Sequence, residues 1–292
     1  MAKNKRNRRL YRNSSSTSGI SFIKRRQNST LNGVVSIVMD KTNREIDWKD
    51  ESDRFVLYLD IMGFKERVKN TNISELKKSL QKFKDKIVKL NPLMKGPDGK
   101  QGIKNFMKMV QFSDSIVVAT KGSSKDDLNH ITRAAVILMH IAFETGFALR
   151  GVISCGKMVF DEENQLFFGN ALVDAYLLEQ EICCYGVIFH ATSEDIVSNA
   201  LNDNNGIYFP IEDIDIKLKS GVSKHYYVAW HKMKKDLSEG DITEKALGWL
   251  DNLRKTVSGN PRVYLDNTKA ILEKSQNNSN CCESKLPAKT HG

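Results

Sequence analysis

Between Phe55 and Phe64 the chain reads FVLYLDIMGF, a short apolar run that ends abruptly in a carboxylate and then a glycine. Phe55, Val56, Leu57, Tyr58 and Leu59 have the length and composition of a buried β-strand. Asp60 at the end of such a strand is either a capping residue or a ligand. The pattern recurs at QFSDSIVV, where Asp114 interrupts a second apolar β run. A chain with two such strands is built around a sheet, and the residues between them indicate what covers it.

ISELKKSLQKFKDKIVKLN (73–91) places Ile73, Leu76, Leu80, Phe83, Ile87 and Leu90 on one stripe, which predicts an amphipathic helix. PLMKGPDGKQG is a turn-rich loop. NFMKMVQFSDSIVVAT reads as a hairpin turning at Ser113-Asp114. KDDLNHITRAAVILMHIAFETG (125–146) is a strongly apolar helix opened by Asp and ended by Gly146. FALRGVISCGKMVFDEENQLFFG is a second hairpin with DEEN as its turn. A helix ALVDAYLLEQEI, a strand CYGVIFHA, a strand YYVAWH and a helix near 241–256 follow. The order β-α-ββ-α-ββ-α-β predicts an α+β fold with a mostly antiparallel sheet and helices on one face. Residues 1–30 read as a disordered basic arm, 31–274 as a single domain and 275–292 as a disordered tail.

Composition excludes several function classes. No apolar run approaches the roughly 20 residues that span a bilayer, and no apolar core follows the basic N-terminus as in a signal peptide. The five cysteines (Cys155, Cys183, Cys184, Cys281, Cys282) lack zinc-ligand spacing. Adjacent cysteines are poor disulfide partners, so reduced thiols and a cytoplasmic location are expected. The six histidines show no metalloprotease spacing, and no Ser-His-Asp or Cys-His arrangement is visible. Nine Lys or Arg and no acid precede Asp40. That arm is either a solvated tail or a segment that binds nucleic acid through its phosphates.

Antiparallel neighbours can bring Asp60 and Asp114 side by side at one end of the sheet. Two such carboxylates repel unless a cation lies between them, and hard Mg²⁺ or Mn²⁺ suits oxygen ligands. Two such ions clamp a triphosphate for in-line displacement. Gly63 permits close backbone approach, and amides around Gly63 and Phe64 can cradle phosphate. The plain alternative is a turn or cap role for each aspartate and an ordinary strand-to-helix turn at Gly63.

LDIMGF resembles the metal-binding strand and turn of class III nucleotidyl cyclases, and FSDSIVV resembles that family's second metal-binding hairpin. LRGVISCG (149–156) is similar to its next core strand. GNALVDAYLLE (169–179) is similar to its following helix at Gly169, Ala171, Ala175 and Glu179. The resemblance covers roughly residues 54–190. It implies that Asp60 and Asp114, with the Ile61 carbonyl, hold two Mn²⁺ or Mg²⁺ ions per active site. It also implies that Arg150 contacts phosphate, and that the nucleotide's 3′-hydroxyl attacks its own α-phosphate and expels pyrophosphate.

Four positions depart from the purine cyclases. Val110 and Leu166 stand where that family reads the base with polar side chains. Val173 and Leu177 stand where it keeps an Asn and an Arg that orient ribose and steady the transition state. SGNPRVYLDNT (258–268) offers Arg262 as a catalytic replacement and Tyr264 as a substrate contact, presented on a turn at Gly259 and Pro261. The combination resembles the pyrimidine cyclases of Pycsar antiphage systems. This resemblance implies a substrate of UTP or CTP, a homodimer with composite sites, a separate effector that senses the cyclic product, and no stable membrane association. The alternatives are a catalytically inactive nucleotide sensor, a purine cyclase, and a nucleic-acid-binding protein led by the basic arm.

Overall fold

The structure is a computed structural model and describes residues 48–90, 106–203, 210–232 and 242–283. The basic arm, the PLMKGPDGKQG loop, the Cys281 and Cys282 side chains and the end of the tail lie outside the described residues. Strand β1 (Glu51–Ile61) leads through the short helix α1 (Phe64–Asn70) into α2 (Ile73–Leu90). Then come the hairpin β2 (Met107–Phe112) and β3 (Ser115–Thr120), helix α3 (Lys125–Thr145), and strands β4 (Leu149–Asp161) and β5 (Leu166–Phe168). Helix α4 (Asn170–Glu181), strand β6 (Gly186–Phe189) and helix α5 (Ala191–Asn202) follow. The chain closes with the hairpin β7 (Ile211–Leu218) and β8 (Gly221–Val228), then helices α6 (Thr243–Arg254) and α7 (Asn260–Glu283).

The strands form one sheet in the order β2-β3-β1-β4-β6-β8-β7, with β5 paired to β4. Every pairing is antiparallel except β4 with β6. The expected α+β class, mostly antiparallel, is what the chain adopts. Both hairpins fall where the turn residues place them, and Ser113 takes a left-handed φ of 53° to close the first. Helix α3 opens on a capping box between Ser124 and Asp127 and stops at Gly146, whose φ of 75° few other residues tolerate.

Alternation along β1 divides the core. Phe55, Leu57, Leu59 and Ile61 point to the face covered by α2 and α3, where each is at most 1% exposed. Burying each such side chain contributes about 1.5–3 kcal/mol. Val56 and its neighbours Val117, Ala119, Met158 and Phe160 meet Ala171 of α4 on the other face. The helices therefore do not share one face, because the buried β4 residues Ser154 and Arg150 bond directly to α4 and its C-terminal end. Gly169 makes that approach possible. A Cβ there would come within 2.3 Å of the Lys157 carbonyl oxygen, and its φ is 150°.

Helices α1 and α5, strand β7 and helix α7 stand beyond the sequence expectation. The boundary expected at Ser275 is corrected, since α7 runs through it to Glu283. Ser275 is 1% exposed, and its Oγ reaches Glu212 Oε1 and His231 Nε2 at 2.8 and 2.9 Å. A half-buried partner on β7 and a buried one on the turn after β8 tie this residue into the core.

Candidate metal and nucleotide site

The site is built at the end of three neighbouring strands. Asp60 lies opposite Ser115 on β3 and opposite Arg150 on β4. Ile61 donates its amide hydrogen to the Asp114 carbonyl oxygen at 2.9 Å, so the two expected acids share one edge. Among the described residues neither carboxylate has a hydrogen-bond or ion-pair partner. Burial, then the charges of Glu179 and Asp114, push the Asp60 carboxyl up to about 6, with Arg150 opposing them. Its elevation records a carboxylate taken out of water beside two other acids, which Arg150 offsets only in part.

The donor set fits a hard divalent cation, which takes one or two carboxylates from a protein and completes its shell with water and phosphate oxygens. No group of three or more metal-ligating side chains exists among the described residues. The two acids and the Ile61 carbonyl are the oxygen donors expected at this end of the sheet.

The turn after Asp60 has the form expected of it. Gly63 has φ 70° and caps α1 without any side-chain hydrogen bond. A Cβ at Gly63 would meet nothing within 4 Å, so the backbone there faces open space. Phe64 begins α1 and packs its ring on the core, which anchors the turn. Tyr58 stands two residues before Asp60 on the same face; its hydroxyl lies 2.8 Å from Ser115 Oγ and its ring meets Tyr176 edge-on. Burial raises the Tyr58 phenol above its usual range, so it stays protonated.

Arg150, Arg262 and Tyr264 occupy three different settings. Arg150 is only 7% exposed, with Nε bonded to Glu179 Oε1 at 2.5 Å and Nη1 to the Ile182 carbonyl at 2.8 Å. Those bonds hold its guanidinium inside the fold against the C-terminal end of α4. The stretch 258–268 is no extended turn, because Gly259 in the left-handed region starts α7 at Asn260. Arg262 is exposed in that helix's first turn, and its charge falls on Asp266. Tyr264 is half-buried against Tyr185, its ring 5.8 Å from the Arg150 guanidinium. The structure thus brings Tyr264 to Arg150 and brings Arg262 to neither acid.

Glu179 is the residue sequence reasoning left without a role. It is 3% exposed, and burial raises its carboxyl above the usual range against the pull of Arg150 and Lys219. The available signal was an acid four positions after Ala175, on the stripe that α4 buries. Val173 and Leu177 lie one turn apart on the open side of the same helix, 52% and 56% exposed. Leu166 is 49% exposed at the edge, and Val110 is half-buried on the α4 side of the sheet.

The sequence matches no protein-family model and no curated protein. Among solved structures, a bacterial light-regulated adenylyl cyclase aligns over 71% of this chain and 99% of its own at 10% identity, with a TM-score of 0.42. The catalytic core of a rhodopsin-guanylyl cyclase with converted specificity, bound to ATPalphaS, aligns over 61% and 96% at 14% identity, with a TM-score of 0.39. A class III adenylyl cyclase-like ATP-binding protein from Pseudomonas aeruginosa aligns over 56% and 41% at 13% identity, with a TM-score of 0.38. Likenesses at this level assign this chain neither a family nor a residue role.

Proposed function

We propose that this protein is a class III-type nucleotidyl cyclase that converts UTP, ahead of CTP, to the 3′,5′-cyclic monophosphate and pyrophosphate, as a signal in bacterial antiphage defence. The observation that carries the reading is the Asp60–Asp114 pair, two carboxylates without a partner among the described residues, one near the end of β1 and one in the turn before β3, beside an open glycine turn. Divalent cations held by Asp60 and Asp114, with the Ile61 carbonyl, would supply the positive charge that neutralises a triphosphate and acidifies a ribose hydroxyl. Amides at Gly63 and Phe64 orient the phosphates. The 3′-hydroxyl gives up its proton to water, and its oxygen forms a bond to the α-phosphorus as the bond to the pyrophosphate oxygen breaks. No protein nucleophile is needed, since positioning and electrostatic stabilisation carry phosphoryl transfer.

Apolar Val110 and Leu166 favour a pyrimidine, because a purine-reading site uses buried polar groups that reject the wrong base by leaving those groups unpaired. Exposed Val173, Tyr176 and Leu177 on α4 suit contact with a second copy, and a homodimer would let that copy complete the site. Arg262, exposed at the start of α7, is the catalytic candidate for that completion, with Tyr264 behind it. The cyclic product would act on a separate effector. No described helix is long and apolar enough to cross a membrane.

Purified protein incubated with each of the four NTPs and Mn²⁺ tests this directly, with cyclic UMP or cyclic CMP as the expected product. A second reading, an inactive cyclase-like nucleotide sensor, is favoured by apolar Val173 and Leu177. Nucleotide binding without turnover supports that reading, and a purine cyclic product shifts the substrate to ATP or GTP.

A further inference from the structure

Asp60 and Arg150 are direct partners across β1 and β4. Side chains directly opposite each other in an antiparallel pair share a face, with Cβ atoms about 4.5–5.5 Å apart. An arginine so placed ordinarily pairs with the facing aspartate, and a paired aspartate is a poor metal ligand. In this protein the guanidinium bonds elsewhere. Its Nε bonds to Glu179 and its Nη1 to the Ile182 carbonyl, while Tyr264 lies over it at 5.8 Å. Asp60 keeps no partner among the described residues, even though Arg150 is near enough to lower its carboxyl pKa.

Glu179 is poorly placed for any other work. It is 3% exposed, so it does not reach solvent, and its bond to Arg150 crosses from α4 to the strand beneath it. A buried pair of this kind is weak evidence for stability, because desolvation offsets most of the attraction. Its effect on geometry is larger, since it decides which acid receives the arginine.

We propose that Glu179 is a positioning residue that holds the Arg150 guanidinium away from Asp60 and so leaves that carboxylate open to a divalent cation. The inference rests on the metal reading above and adds a residue to it. Glu179 bonds to the arginine, and the arginine is thereby withheld from the metal acid. Removing the glutamate frees the arginine to pair with Asp60; removing both leaves nothing to pair with it.

The test is Mn²⁺ binding, read by electron paramagnetic resonance on the full chain at pH 8. Glu179→Gln is expected to weaken binding about tenfold or more, the size of effect seen when a residue supporting a metal ligand is lost. Adding Arg150→Gln in the same chain is expected to restore most of that affinity. A merely structural role predicts the reverse, since a second lesion in the pair compounds the first. Thermal unfolding of each variant identifies the folded fraction to which binding is normalised. Parent-like Mn²⁺ binding by E179Q overturns the inference while leaving the metal reading standing. Failure of the double variant to recover affinity overturns it as well. If the parent itself binds no Mn²⁺, the metal reading falls and this inference falls with it.

Discussion

Ile61 donates its backbone amide to the Asp114 carbonyl oxygen at 2.9 Å, which ties the end of β1 to the turn of the β2–β3 hairpin. Together with the β1–β3 pairing, that bond places side by side two acids that are far apart in sequence. Asp60→Ala and Asp114→Ala are each expected to lower cyclase turnover by more than the 10- to 100-fold typical of supporting residues. Initial rates at several Mn²⁺ concentrations check this; turnover unchanged in Asp60→Ala would sink the two-metal mechanism.

The Asp60 carboxyl is held up to about 6, so its proton competes with a cation well into the mildly acidic range. Mn²⁺ affinity is expected to be level above pH 7 and to fall about tenfold per unit below pH 6, one proton being displaced per ion at this group. Titration calorimetry between pH 5 and pH 8 measures the slope.

The same elevation carries a stability sign. A carboxyl whose folded pKa lies above its unfolded value favours the fold at low pH and disfavours it once pH rises through the folded value. The cost develops between about pH 4 and 6 and is complete at neutrality. Without metal, Asp60→Asn is therefore expected to stabilise the protein at pH 7 by about 1 kcal/mol, a value reduced for partial solvent access. Unfolding curves at pH 4 and pH 7 should show the gain only at the higher pH.

Gly169→Ala forces a methyl group to within 2.6 Å of the Met158 Cα at a backbone φ of 150°. The expected cost is about 2–3 kcal/mol, read from the midpoint of urea denaturation. The loss follows from α4 being displaced from β4, so cyclase activity should fall with it.

Ser275→Ala removes the hydroxyl that joins Glu212 and His231 inside the fold. A loss of about 1–3 kcal/mol is expected, since polar groups left short of a partner keep their desolvation cost. A neutral result in a urea titration would return this part of α7 to the tail.

Val173→Glu with Leu177→Glu places two charges on the exposed apolar side of α4. Sedimentation should show a homodimer in the parent and monomer in the variant, with the melting temperature little changed because neither side chain is buried in the protomer.

Much of this protein was legible in local pattern. The apolar run FVLYL, the Ser113-Asp114 turn, the Asp residues that open α3 and the Gly146 stop each depend on residues a few positions apart, so neighbours suffice to specify them. The two acids were visible as interruptions of apolar strands, and the open glycine turn was visible beside one of them. What the sequence by itself left undecided is how distant positions meet. Arg150 and Glu179 are 29 residues apart, and only the packing of α4 onto β4 turns a supposed phosphate contact into the buried partner of a glutamate. Arg262 likewise reads in the sequence as part of a turn, whereas Gly259 starts a helix that leaves it exposed on the first turn of α7, apart from this protomer's two acids. Periodicity fixes which side chains leave each strand together, whereas strand order and helix docking decide which charges neutralise each other, because electrostatic pairing depends on distance in space and burial.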